Sequence, residues 1–214
     1  IECFKTPKRR IAVTCHSTNI ARIKSIAVAA EKAGRYVALV GRSLWRNAGI
    51  ANELGYLPEF DDFLNEKESM RVPADKIVMI CTGSQGERRS ALYRIALQDH
   101  NLVRLDRGDS VFFSARIIPE NELAISRTQN QLVAQGIEIV TPRDTDDGIE
   151  IYASGHGGQK DFEKLYSWTE PDLIIPVHGE LRQQKEHENF ARSLGYDDVL
   201  IPKDGQIIKL AKDY

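Results

Sequence analysis

The chain has 214 residues, 42% of them hydrophobic, and its 29 Lys+Arg against 31 Asp+Glu give a formal net charge of −2. That length and composition suit a globular protein of one domain or two unequal lobes, without the global basic field that advertises nucleic acid. No apolar stretch is long enough for a bilayer span or has a signal-peptide layout. Cys3, Cys15 and Cys81 are odd in number and unpatterned, which fits a reducing cytoplasm better than a disulfide scaffold.

Residues 10–14 read as a strand and 19–33 as a helix with apolar residues at helical spacing and Gly34 as its stop. Residues 35–40 form the next expected strand, and Gly41-Arg42-Ser43 turns into a helix ending near Leu54-Gly55. A third strand is expected at 76–81, leading through Thr82-Gly83-Ser84-Gln85-Gly86-Glu87 into a helix over 89–99. A fourth strand follows at 110–113, then a helix over 120–135 and a strand at 137–140. Residues 141–148 (Thr-Pro-Arg-Asp-Thr-Asp-Asp-Gly) are turn-rich and make the best boundary. Beyond it, 149–153 and 173–177 read as strands around an amphipathic helix at 159–168, and 199–202 with 206–210 as a closing hairpin. Alternating strand and helix predicts an α/β fold with a largely parallel sheet flanked by helices.

Two histidines stand out. His156 lies in Ser154-Gly155-His156-Gly157-Gly158 and His178 in Pro176-Val177-His178-Gly179-Glu180, each after one of the late apolar runs. A βαβ crossover would make those runs parallel, so both imidazoles would project from one carboxyl edge, where open α/β sheets place ligands. One histidine after a strand is commonly a satisfied loop residue. Two in equivalent positions, both flanked by glycine, suggest hydrolytic or metal chemistry. His100 and His187 read as surface helix residues. The loops at 14–19, 82–87, 114–116 and 154–158 carry small hydroxyl and glycine residues after strands, as phosphate-binding loops and ordinary helix caps both do. The clusters Lys8-Arg9-Arg10, Arg88-Arg89 with Arg94, and Arg104 with Arg107 fit solvated surface or an RNA track. Cys81, closing an apolar run, reads as a buried thiol.

Taken in order, Thr14-Cys15-His16-Ser17-Thr18-Asn19-Ile20, Val40-Gly41-Arg42-Ser43, Cys81-Thr82-Gly83-Ser84-Gln85-Gly86-Glu87, Ser154-Gly155-His156 and Pro176-Val177-His178-Gly179-Glu180 resemble the ribonuclease J family of β-CASP metallo-β-lactamase-fold nucleases. The resemblance covers nearly the whole chain. It implies a β-CASP domain at 1–146, with 147–214 as the C-terminal segment of the metallo-β-lactamase domain, its βαβ unit and hairpin included, and RNA entering between the two domains. It implies His156 as general acid near the scissile phosphate and His178 as ligand of one metal in a two-zinc centre. Ser114 and Ser154, with the backbones of Gly155 and Gly157, match positions of a substrate-phosphate pocket, and Asn19 joins them as a substrate-binding candidate. The His-x-His-x-Asp-His run that supplies most ligands in the family is absent from residues 1–214. His16, Arg116 and Gly157 also depart from the smaller residues or alanine common there. The opening at Ile1 rather than Met fits a fragment. With one metal ligand where a zinc site needs at least three, these residues are expected to be inactive alone. The expected whole protein is a cytoplasmic, homo-oligomeric, zinc-dependent ribonuclease. A DNA-directed or other β-CASP metallohydrolase and a non-catalytic RNA-binding module are the alternatives, and exonuclease against endonuclease action stays open.

Overall fold

A computed structural model describes residues 2–5, 9–57, 63–144 and 150–210. They fall into two compact units, 1–153 and 154–214. The first contains α1 (Glu2–Lys5), β1 (Ile11–Thr14), α2 (Ile20–Lys32), β2 (Tyr36–Val40), α3 (Arg42–Glu53), α4 (Glu66–Ser69), β3 (Ile77–Cys81), α5 (Ala91–Ala96), β4 (Ser110–Phe113), α6 (Glu122–Ala134) and β5 (Glu138–Val140). The five strands pair in parallel in the order β2-β3-β1-β4-β5, with Val13 opposite Ile80 on one side and Phe112 on the other. The α/β fold with a parallel sheet is therefore present, as the alternating pattern predicts.

The strands read as unbroken apolar runs because helices cover both faces of the sheet. Side chains still alternate between those faces. Ala12, Met79 and Val111 pack on one side with Leu92 and Ile95 of α5 and Ile125 and Leu132 of α6. Val13, Ile80 and Phe112 pack on the other with Ile23, Ile26 and Ala30 of α2 and Leu44, Ala48 and Ala51 of α3. Asn19 caps α2 by accepting the Arg22 N–H at 3.0 Å. Gly34 ends it at φ +68 by donating to the Glu31 carbonyl.

Some expectations in this unit are corrected. α4 has no counterpart in the expected elements, although Asn65 and Glu68 form a reciprocal capping box. Just ahead of it, Leu64 bridges to Ala38 and covers the outer edge of β2. The helix expected over 89–99 is only α5, since Gln98 turns left-handed at φ 57. His100, expected on a helix surface, is 8% exposed in the turn beyond. Its Nδ1 accepts from the Val103 N–H at 3.1 Å, so its ring fixes that turn. Cys81 is fully buried, as its apolar run suggests, and burial also pushes the neighbouring Cys15 thiol up to about 11; such thiols are inert at neutral pH.

The second unit holds α7 (Gln159–Thr169) and α8 (Leu181–Ser193), packed around Tyr166, Ile174 and Ala191 with Phe162, Phe190, Leu194, Tyr196 and Val199. The expected βαβ strands and closing hairpin do not form among the described residues; residue 149 lies outside them. Only a single parallel bridge joins Ile174 to Val199. A strand exists only where a second backbone accepts its polar groups, and apolar content cannot supply one. Lys203 and Gln206 do make the turn foreseen around Lys203-Asp204-Gly205. His187 is corrected as well: it is half-buried in α8, its Nε2 hydrogen-bonded to the Tyr166 hydroxyl and its ring 4.6 Å from that of Phe162. Residues 141–144 form the expected turn, with Asp144 accepting from the Thr141 N–H and hydroxyl; residues 145–149 are not described. The units divide after Ala153 because Ile151 packs against the first core.

Candidate functional site

The chain runs from β1 outward to β2, returns to β3, and then crosses β1 to reach β4. The sheet order therefore reverses at the β1–β4 pair, and the crevice beyond their carboxyl ends is where such sheets bind ligands. Ser114 and Asn19 both sit there. The Ser114 backbone donates to the Thr14 carbonyl at 3.0 Å. Its hydroxyl donates to the Ile151 carbonyl and accepts from Arg22 at 2.7 Å. The Asn19 side chain is engaged as the α2 cap. Arg22, which no motif marks, is the hub of this corner. It also donates to the Ile151 and Ala153 carbonyls at 3.0 and 3.2 Å and lies 5.2 Å from the Tyr152 ring centroid.

The Thr82–Glu87 motif builds the neighbouring loop. Thr82 accepts the Ala91 N–H at 3.0 Å at the start of α5, which Ser90 caps by accepting the Tyr93 N–H at 3.3 Å. Gln85 is 5% exposed; its Nε2 donates to the Arg116 carbonyl at 2.8 Å, and its Oε1 accepts from the Ile118 N–H at 3.0 Å and Asn121 Nδ2 at 3.2 Å. Gly86, at φ +72, lets the backbone of α6 approach where a Cβ would stand 2.5 Å from the Ala124 carbonyl carbon. These groups position the 115–121 loop. Of the basic clusters, Arg10 pairs with Asp106 at 2.9 Å, and Arg94 donates to the Asp99 carbonyl at 2.7 Å. Both are bonded within the unit.

In the second unit the two histidines come together. Their rings stack at a centroid distance of 5.5 Å and an interplanar angle of 10°. Ser154 Oγ accepts the His156 N–H at 3.1 Å and shapes the turn ahead of α7. Gly158 starts that helix, its N–H donating to Asp161 Oδ2 at 2.9 Å. A Cβ at Gly155 would meet nothing within 4 Å, and one at Gly157 only ordinary contact with Asp161 at 3.5 Å. Packing in this unit does not demand glycine at either position. His178 is left-handed at φ 64, a conformation in which histidine is several-fold enriched among non-glycine residues but which is still strained. Both imidazoles are exposed. Among the described residues no group of three or more His, Cys, Asp or Glu could hold a metal ion, so this donor set does not make a zinc site by itself. No helix among the described residues is long and apolar enough to cross a membrane.

Comparison with known proteins accords with this arrangement. Residues 8–132 match the family model for the β-CASP domain of ribonuclease J, and residues 149–202 match that of a Zn-dependent metallo-hydrolase RNA specificity domain. Ribonuclease J of Sinorhizobium meliloti is 39% identical over 202 residues, covering 94% of this chain and 35% of the relative. Ribonuclease J of Thermus thermophilus is 35% identical over 206 residues, covering 95% and 35%. Ribonuclease J 1 of Streptococcus pyogenes is 35% identical over 208 residues, covering 95% and 36%. The chain thus spans 35–36% of the length of these curated relatives. A match over residues 8–132, which hold four of the five parallel strands found among the described residues, establishes that the chain belongs to the ribonuclease J β-CASP family.

Proposed function

We propose that the chain is the β-CASP domain, with an adjoining C-terminal segment of a metallo-β-lactamase domain, of a metal-dependent ribonuclease that hydrolyses RNA phosphodiester bonds. The observation that carries this reading is the stacking of His156 on His178 in a segment matching a Zn-dependent metallo-hydrolase RNA specificity domain. His178 would be one ligand of a zinc pair whose other ligands come from the longer protein, because the described residues offer no complete set. Bound zinc would supply charge stabilisation at the reacting phosphate. His156 would protonate the departing oxygen, a role open to an exposed imidazole at the mouth of a glycine-flanked turn.

Ser114, Ser154, Asn19 and the backbones of Gly155 and Gly157 would hold the substrate phosphate. Asn19 would do so through its Nδ2 while its Oδ1 keeps the Arg22 N–H, whereas the single O–H of Ser114 would have to turn from the Ile151 carbonyl to the phosphate. RNA is the partner that the names of the relatives and of the specificity domain favour over DNA. Homo-oligomerisation and a cytoplasmic setting belong to the same reading. The full-length protein should cleave 5′-monophosphorylated RNA and spare matched single-stranded DNA, with bound zinc measured on the same sample. Equal cleavage of both, or activity in a metal-free sample, would refute it.

A further inference from the structure

We infer that Arg22 is a positioning residue for His156, acting through the backbone that leads into the Ser154–His156 turn. The inference rests on the proposed role of His156. Residues 150–153 make no strand pairing, so no ladder holds this approach to the turn. Arg22 stands where a neighbouring strand would. Its guanidinium donates to the carbonyls of Ile151 and Ala153, two residues apart, and the Tyr152 ring lies 5.2 Å away.

The clamp is held from behind. Ser114 Oγ accepts from Arg22 and donates to the same Ile151 carbonyl, which closes a ring of bonds between β4, α2 and the incoming segment. Asn19 accepts the Arg22 backbone N–H and fixes the first turn of the helix from which the side chain extends. The two terminal nitrogens of the planar fork serve two carbonyls and a hydroxyl at once. A lysine ammonium keeps the charge but loses that geometry. Two residues matching substrate-binding positions, Asn19 and Ser114, thus also orient Arg22.

The test is a mutant cycle in the full-length protein, with steady-state cleavage of 5′-monophosphorylated RNA by wild type, R22A, R22K, H156A and R22A/H156A. A displaced acid should lower kcat by about 10²-fold in R22A with KM little changed, and R22K should recover only part of the loss. In the H156A background, R22A should cost little more, because the group it positions is gone. Losses that multiply in the double variant, a kcat unaffected by R22A, or a rise in KM alone would overturn the inference, the last by making Arg22 a substrate contact. If R22A does not fold, R22K and R22K/H156A complete the same cycle. An H156A variant with undiminished kcat would instead refute the role of His156 under the proposed function, so the two failures are distinct.

Discussion

Gly86→Ala should be among the most destabilising single-methyl additions in this chain. Gly86 sits at φ +72, and a Cβ there would lie 2.5 Å from the Ala124 carbonyl carbon, 2.7 Å from its oxygen and 2.7 Å from the Ile125 nitrogen. These are backbone atoms of α6 and cannot rotate aside. The left-handed conformation alone costs an alanine about 1–2 kcal/mol. Displacing a packed helix adds about 1–3 kcal/mol, giving a total of about 2–5 kcal/mol. Gly34→Ala is the internal control, because Gly34 has a similar φ of +68 and nothing within 4 Å of its Cβ position. It should show only the conformational part. Urea unfolding of both variants beside wild type separates the contributions. With a urea m-value of about 1–3 kcal/mol per molar, G86A should lower the midpoint by about 1 M or more, with m unchanged. Equal midpoints for G86A and G34A would show that α6 does not press on Gly86, and would remove the scaffolding role given to the Thr82–Glu87 loop.

Three further outcomes follow from the site. H178A in the full-length protein should lose bound zinc and activity together, as measured by metal content of the purified variant; unchanged stoichiometry would sink the ligand assignment. H156A should retain its metal while turnover falls by about 10²–10⁴-fold, and loss of zinc equal to that in H178A would mean that the two roles are wrongly divided. Burial holds the His187 imidazole, bonded to the Tyr166 hydroxyl, and the His100 imidazole, beside Glu66, below the ordinary value of 6.5. The stability they contribute is fully present above pH 6.5, where the unfolded chain is also neutral, and is lost as pH falls through the depressed folded values. Urea midpoints should therefore drop on acidification below 6.5, and less so in a H100Q/H187Q variant if that variant folds; a drop of the same size in it would refute the assignment.

Much of the first unit is legible in the order of its residues. Strands buried on both faces must be apolar throughout, so Ile11–Thr14, Ile77–Cys81 and Ser110–Phe113 announce themselves within a few residues. Helices α2 and α6 carry apolar residues at helical spacing, and the α2 cap is a local Asn19–Arg22 bond. By contrast, α8 is too sparsely apolar to stand out: of its 13 residues only Ala191 is buried. The run before His156 has strand composition but no partner strand, and the run before His178 meets one only at the Ile174–Val199 bridge; composition cannot report a missing partner.

The sequence by itself determined the α/β class, the sheet strands and the histidine motifs, because burial pattern, turn chemistry and capping act over a few neighbouring residues. Only the tertiary structure decided the strand order, the 5.5 Å stacking of His156 on His178, and the Arg22 clamp. Arg22 reaches Ser114 across 92 positions and the Ile151 carbonyl across 129. Such contacts arise where crossovers carry separate segments to the same place, and no local spacing encodes that meeting.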